Sequence, residues 1–171
     1  MPNLRDLQLK DTDFMYEWMS DSEVTQSLMI GRTACSKEMI QAFIRNSWKN
    51  EKNVHFAIVT DEDEYVGTVS LKNISKVDRN AEYAIAIRKK YWGMEYATFA
   101  TTAIVHYGFQ MLNLHKIYLN VPSTNSRAIK FYEKFGFQRE GILKEHINIS
   151  GQMVDLFWYC ILNGNQHTEA G

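Results

Sequence analysis

The chain has 171 residues, 45% of them hydrophobic and 13% aromatic, which is enough to bury one ordinary core without staples and too much for a disordered chain. Nineteen basic against 20 acidic side chains leave a formal net charge of −1, excluding the global field that would draw in nucleic acid or an anionic membrane. No stretch approaches the roughly 20 uninterrupted apolar residues that a bilayer span needs. The opening Met1-Pro2-Asn3-Leu4-Arg5-Asp6 lacks the apolar run of a cleaved signal, so a cytoplasmic protein is expected.

Residues 4–9 alternate as a short strand, after which Asp11 or Thr12 caps a helix to residue 19 carrying Phe14, Met15 and Trp18. A second short helix is predicted over 22–29. Ser36 is the N-cap of the clearest helix, 37–50, where Met39, Ile40, Phe43, Ile44 and Trp48 recur at helical spacing. The period then changes. Strands at 54–60 and 65–71 are joined by the acidic turn Asp61-Glu62-Asp63-Glu64, and a polar linker leads to a strand at 81–87 with Tyr83, Ile85 and Ile87 on one face.

The loop from Arg88 to Met94 enters a helix at 95–111 that buries Ala97, Ala100, Ile104, Tyr107 and Met111. A strand at 116–121, a helix at 125–135 stopped by Gly136, and a hairpin of 137–149 with 152–162 turning at Ser150-Gly151 complete the pattern. No linker or repeat divides it, so residues 1–162 form a single domain and 163–171 a flexible tail. The class is α/β (α+β), a mixed sheet with helices on its faces. Cys35 and Cys160 are too few for a disulfide framework and are expected as thiols, Cys160 within the core. His55, His106, His115, His146 and His167 include no pair at ligand spacing, so no metal is expected.

Three local features carry chemistry. A strand passes through Arg88-Lys89-Lys90 and Gly93 into a helix N-terminus, whose unpaired amides suit a phosphate, although a solvated basic loop looks the same. Asn125 follows a strand and opens a helix, as a cap or as a ligand contact. Tyr132 lies seven residues further, on the same helical face, as a packed ring or a proton donor.

Taken together, the run Leu112-Asn113-Leu114-His115-Lys116-Ile117-Tyr118-Leu119, then Asn125-Ser126-Arg127-Ala128-Ile129-Lys130-Phe131-Tyr132-Glu133-Lys134-Phe135-Gly136-Phe137 and Arg139-Glu140-Gly141, closely resembles the GCN5-related N-acetyltransferase (GNAT) family, in its ribosomal-protein and diamine acetyltransferase branch. The resemblance runs over roughly residues 4–162. It implies a mostly antiparallel sheet with helices on its faces and one splayed strand pair that takes acetyl-coenzyme A as co-substrate, with no metal. By the same resemblance, main-chain groups of Ile85, Ala86 and Ile87 pair with the pantetheine amides, and the loop and helix start (Trp92, Gly93, Met94, Glu95, Tyr96, Ala97 and Thr98) hold the pyrophosphate. Asn125 and Ala128 meet the pantetheine arm, and Tyr132 reaches the sulfur.

One position departs from the family pattern: Glu95 stands where a glycine is usual. Facing a phosphate at ~5 Å, its carboxylate would cost about 3 kcal/mol; turned into water it is a helix-stabilising N-terminal acid. The implied chemistry is direct attack of a primary amine on the thioester in a ternary complex. Tyr132 is the candidate general acid and Glu82 the candidate base, or else a solvent-facing strand residue. Glu17, Asp21 and Glu23 would form an acidic lip for a cationic acceptor, which is either a small-molecule amine or a protein N-terminus; a solvated helix face is the other reading. The alternative function is a non-catalytic acyl-CoA-binding or sensing module. Either a monomer or a homodimer is compatible with the sequence.

Overall fold

The computed structural model describes residues 1–28 and 35–164. In chain order these form β1 (Asn3–Asp6), α1 (Thr12–Met19), α2 (Ser22–Leu28), α3 (Lys37–Ser47), β2 (Val54–Val59), β3 (Tyr65–Ser75) and β4 (Asn80–Ile87). They continue with α4 (Tyr96–Gln110), β5 (Lys116–Pro122), α5 (Ser126–Phe135), β6 (Gln138–Ile149) and β7 (Gln152–Leu162). The seven strands make one sheet in the order β1-β2-β3-β4-β5-β7-β6, antiparallel throughout except for β4 beside β5.

Both faces of the sheet are covered, and strand alternation divides the core between them. Ala81 and Tyr83 on β4, Leu119 and Val121 on β5, and Ile104 on α4 belong to one cluster, with Ile85 packed against it. Ala86 belongs to the other, with Met15 and Trp18 of α1 and Ile40 and Ile44 of α3. Among the described residues no helix is long and apolar enough to cross a membrane.

Several expected boundaries move, each for a local reason. β3 runs on to Ser75 because β4 starts early enough to pair with it, Ser75 opposite Asn80. α3 stops at Ser47, whose hydroxyl donates to the Ile44 carbonyl (2.6 Å), and the Trp48 indole turns away to donate to the Leu7 carbonyl (2.7 Å). Of the apolar residues at helical spacing in α3 and just after it, Met39, Phe43 and Trp48 are exposed, whereas Ile40 and Ile44 are buried. In α4 the buried stripe is Ala100, Thr101, Ile104, Val105 and Gly108, and Met111 lies beyond the helix at 71% exposure.

Asp11 does not cap α1 with its side chain. Its two carboxylate oxygens take the Arg5 guanidinium, each at 2.8 Å. Cys160 is only half-buried, since its side chain leaves β7 on the face opposite the buried Tyr159. Asn163, predicted to open a fraying tail, is buried, and its N–H donates to the His115 carbonyl at 2.9 Å. Met29, at the end of the second predicted helix, and residues 165–171 of the predicted tail lie outside the described residues.

Candidate active site

β4 and β5 pair over only three residues, Asn80 with Lys116, Ala81 with Ile117 and Glu82 with Tyr118. Beyond that point they part, and a cavity of about 700 Å³ occupies the gap and opens toward both faces of the sheet. On the α4/α5 face it is lined by Ile85, Ile87, Ala97, Ala128 and Tyr132, and Trp92, which packs against the α1–α3 core, also lines it. On the α1–α3 face the even-numbered residues of β3 and β4 (Thr68, Ser70, Lys72, Glu82, Ala84 and Ala86) form its floor, and the first helices form its wall.

The edge of β4 along the gap is polar main chain. The Arg88 N–H donates to the Val66 carbonyl (2.9 Å), so by strand alternation the amide groups of Ile85 and Ile87 point away from β3 and into the gap. The Trp92 indole takes the Ile87 carbonyl (2.8 Å), which leaves the N–H and C=O of Ile85 and the N–H of Ile87 facing the opening. Ala86 differs from the expectation. Its main chain is directed to β3, opposite Thr68, and what it contributes to the cavity is its methyl group.

At the far end the chain turns through Gly93, at φ +80°, a left-handed conformation that glycine adopts without penalty. The first α4 amide with a main-chain acceptor of its own turn is that of Phe99, bonded to the Glu95 carbonyl (2.9 Å). Those of Tyr96, Ala97 and Thr98 are the first-turn donors that a helix leaves open. Gly93, Met94, Ala97 and Thr98 line the cavity; Glu95 and Tyr96 do not. Glu95 is exposed at the N-cap, and Tyr96 packs edge-on against Tyr91 (5.2 Å).

The cations expected beside this turn are engaged elsewhere. Arg88 is 5% exposed and bound to Glu17 (2.8 Å), Glu64 (3.1 Å) and the Tyr65 carbonyl (2.9 Å). Lys89 pairs with Glu23 (2.6 Å) and Lys90 with Glu64. Those pairings also dissolve the acidic lip, since Glu17 and Glu23 are partnered and Asp21 accepts the Glu23 N–H (2.9 Å) at the start of α2. Two cations line the cavity among the described residues: Lys72, which is paired with Glu82, and Arg127, whose guanidinium lies 3.6 Å from the centre of the Trp92 ring and whose pKa is pushed down by burial. Nothing in the spacing distinguished it from Lys130 or Lys134 on the same helix.

Asn125 accepts the Ala128 N–H (3.2 Å) as the cap of α5 while lining the cavity, so its capping and ligand-facing readings coexist. Gly136, at φ +115°, ends the helix as expected. Tyr132 is buried edge-on against Tyr83 (6.0 Å), and burial raises its phenol well above the ordinary value, keeping it protonated. Glu82 is the single acid among the described residues lining the cavity, with one oxygen on the Lys72 ammonium (3.0 Å) and the other on the Asn73 amide (2.9 Å).

Two features were missed from sequence. His55 lines the α1–α3 side, its Nδ1 2.7 Å from the Ser70 hydroxyl. Burial, with help from the Lys72 charge, lowers its pKa to about 4. Asn120 lines the cavity on the face it shares with Glu82, and its Oδ1 is buried without a hydrogen-bond partner among the described residues. The available signal was a carboxamide interrupting the apolar run of β5. Among the described residues no cluster of three or more His, Cys, Asp or Glu is placed to hold a metal.

This architecture recurs in known proteins. The Vibrio cholerae spermidine N-acetyltransferase, solved in complex with CoA and spermine, superposes with a TM-score of 0.87 at 27% identity, covering 94% of this chain and 95% of that one. In sequence the chain is 32% identical over 163 residues to the spermidine N(1)-acetyltransferase of Escherichia coli K12, spanning 92% of this chain and 84% of the relative. It is 30% identical over 162 residues to the Bacillus licheniformis protein named Uncharacterized N-acetyltransferase p20, spanning 93% and 91%. With the acetyltransferase (GNAT) domain model matching residues 3–138, the chain belongs to the GNAT family of N-acetyltransferases.

Proposed function

We propose that the protein transfers the acetyl group of acetyl-coenzyme A to a small primary amine, the two meeting from opposite faces of the sheet. The observation that carries this is the parting of β4 and β5 after Glu82 and Tyr118, with one cavity running through the gap. The residues present suit the coenzyme. Ile85 offers a donor and an acceptor at spacing for an extended amide arm, the α4 amides and Arg127 offer positive charge for a diphosphate, and Glu95 stays off the cavity wall.

Acetyl-coenzyme A supplies an acetyl group activated as a thioester. Around it the chain has three tasks. Glu82 takes the proton of the incoming ammonium, directly or through water, with Lys72 and Asn73 fixing its carboxylate. The Ile87 N–H stabilises charge developing on the carbonyl oxygen. Tyr132, held protonated by burial, donates to the sulfur as it departs. Asn120 turns its carbonyl to the amine by rotation about its terminal torsion, a soft two-fold coordinate.

The test is thiol release from acetyl-coenzyme A with an amine panel. Tyr132→Phe is expected to lower kcat by about 10²-fold or more while leaving the KM for acetyl-coenzyme A within about twofold. Tight coenzyme binding with no transfer to any amine would instead identify an acyl-CoA sensing module.

A further inference from the structure

Resting on that reading, the charge inventory of the cavity points to the class of acceptor: we infer that the substrate is a primary monoamine with an apolar body, and not a polyamine. The α1–α3 half of the cavity is walled by Met15, Trp18, Met19, Met39, Ile40 and Phe43. Its polar floor contains one carboxylate, Glu82, already matched by Lys72 at 3.0 Å. His55 is neutral at pH 7, with its pKa near 4.

A di- or polyamine brings one or more ammonium groups beyond the one that reacts, and each must be desolvated against something negative. The nearby acids do not serve. Glu17 and Glu23 are paired with Arg88 and Lys89, and Asp21 is bonded to the main chain of α2. Residues 29–34, which join α2 to α3, are Met-Ile-Gly-Arg-Thr-Ala and contain no acid. Including Arg127, the described cavity lining holds two cations against one anion. A single ammonium attacking beside Glu82 leaves the rest of such an acceptor against thioether, aromatic and aliphatic side chains, which reward apolar area.

The full chain is assayed for thiol release at saturating acetyl-coenzyme A with 2-phenylethylamine, isopentylamine, putrescine, spermidine and a tetrapeptide with a free serine N-terminus. The expected result is a kcat/KM for 2-phenylethylamine or isopentylamine exceeding that for spermidine by about tenfold or more. A preference for spermidine, putrescine or the peptide overturns the inference while leaving acetyl transfer intact. No transfer to any amine overturns the acetyltransferase reading and this inference with it. Met39→Glu places a new carboxylate on the wall from a side chain that is 56% exposed and so dispensable for folding. It is expected to shift the ratio toward spermidine by about tenfold, and an unchanged ratio overturns the assignment of that wall to the acceptor.

Discussion

Asn120 is a point where folding and function are predicted to pull in opposite directions. The residue lines the cavity, while its Oδ1 is buried without a partner among the described residues. A buried, unpaired acceptor costs a fold about 1–3 kcal/mol, and leucine has nearly the same shape without the polar atoms. Asn120→Leu should therefore stabilise the ligand-free protein by about 1–2 kcal/mol, or about 3–6 °C in Tm for a chain of this size. The same change removes a hydrogen bond to the incoming amine, worth about 1.5 kcal/mol when the donor is charged. It should lower kcat/KM by about tenfold. Asn120→Asp reverses the first effect and spares the second: it buries a carboxylate and destabilises the ligand-free fold, yet keeps an oxygen for the ammonium. Scanning calorimetry of the ligand-free protein and steady-state thiol release measure the two effects separately. If Asn120→Leu loses both stability and activity, the carboxamide is a structural bond; if it gains stability and keeps full activity, the carboxamide does not meet the substrate.

Other expectations follow from the same geometry. Arg127→Ala should raise the KM for acetyl-coenzyme A by about tenfold with kcat little changed, and should flatten the salt dependence of that KM; an unaltered KM removes Arg127 from the coenzyme site. His55 has a folded pKa near 4, below its unfolded value of about 6.5. The unfolded chain therefore binds the extra proton first, and this contribution to stability is complete above pH 6.5 and lost as pH falls toward 4. Urea titrations at pH 7 and pH 4.5 should show a smaller acid loss for His55→Asn than for the parent. Gly67→Ala would put a Cβ 2.1 Å from the Ala86 carbonyl oxygen. It should cost about 3 kcal/mol or more, read as a collapse of Tm, and a Tm within about 2 °C of the parent would show that the β3–β4 approach relaxes freely.

Periodicity made most elements legible; the Ser36 cap marked the start of α3, and the Asn125 cap with the Gly136 stop marked both ends of α5. It failed where a stripe served something other than the core. Met39 and Phe43 recur at helical spacing with Ile40 and Ile44, and the hydrophobic pattern cannot say that Met39 and Phe43 stand exposed at a cavity that Ile40 also lines, while Ile44 is buried away from it. Trp48 shows the same failure at the end of the helix, where its indole finds the Leu7 carbonyl. A long-range hydrogen bond of that kind leaves no trace in local spacing.

The charged residues misled for a deeper reason. Arg88, Lys89 and Lys90 next to a helix start read as a phosphate grip or a solvated basic loop, and Glu17, Asp21 and Glu23 on the first helices read as an amine lip or a solvated helix face. The fold brings α1 and α2 alongside the loop after β4, where the two groups largely neutralise each other: Arg88 takes Glu17, and Lys89 takes Glu23. Local spacing could not choose between the two readings of either set, because the partners that decide it, Arg88 and Glu17, lie 71 residues apart in the chain. Once those pairs close, the groups left to meet an anion in the cavity are main-chain amides and Arg127, and the α1–α3 side keeps one carboxylate that already has its own cation. Under the monoamine assignment inferred above, selectivity among amines rests on how much apolar surface the acceptor brings to α1 and α3, not on how many positive charges it carries.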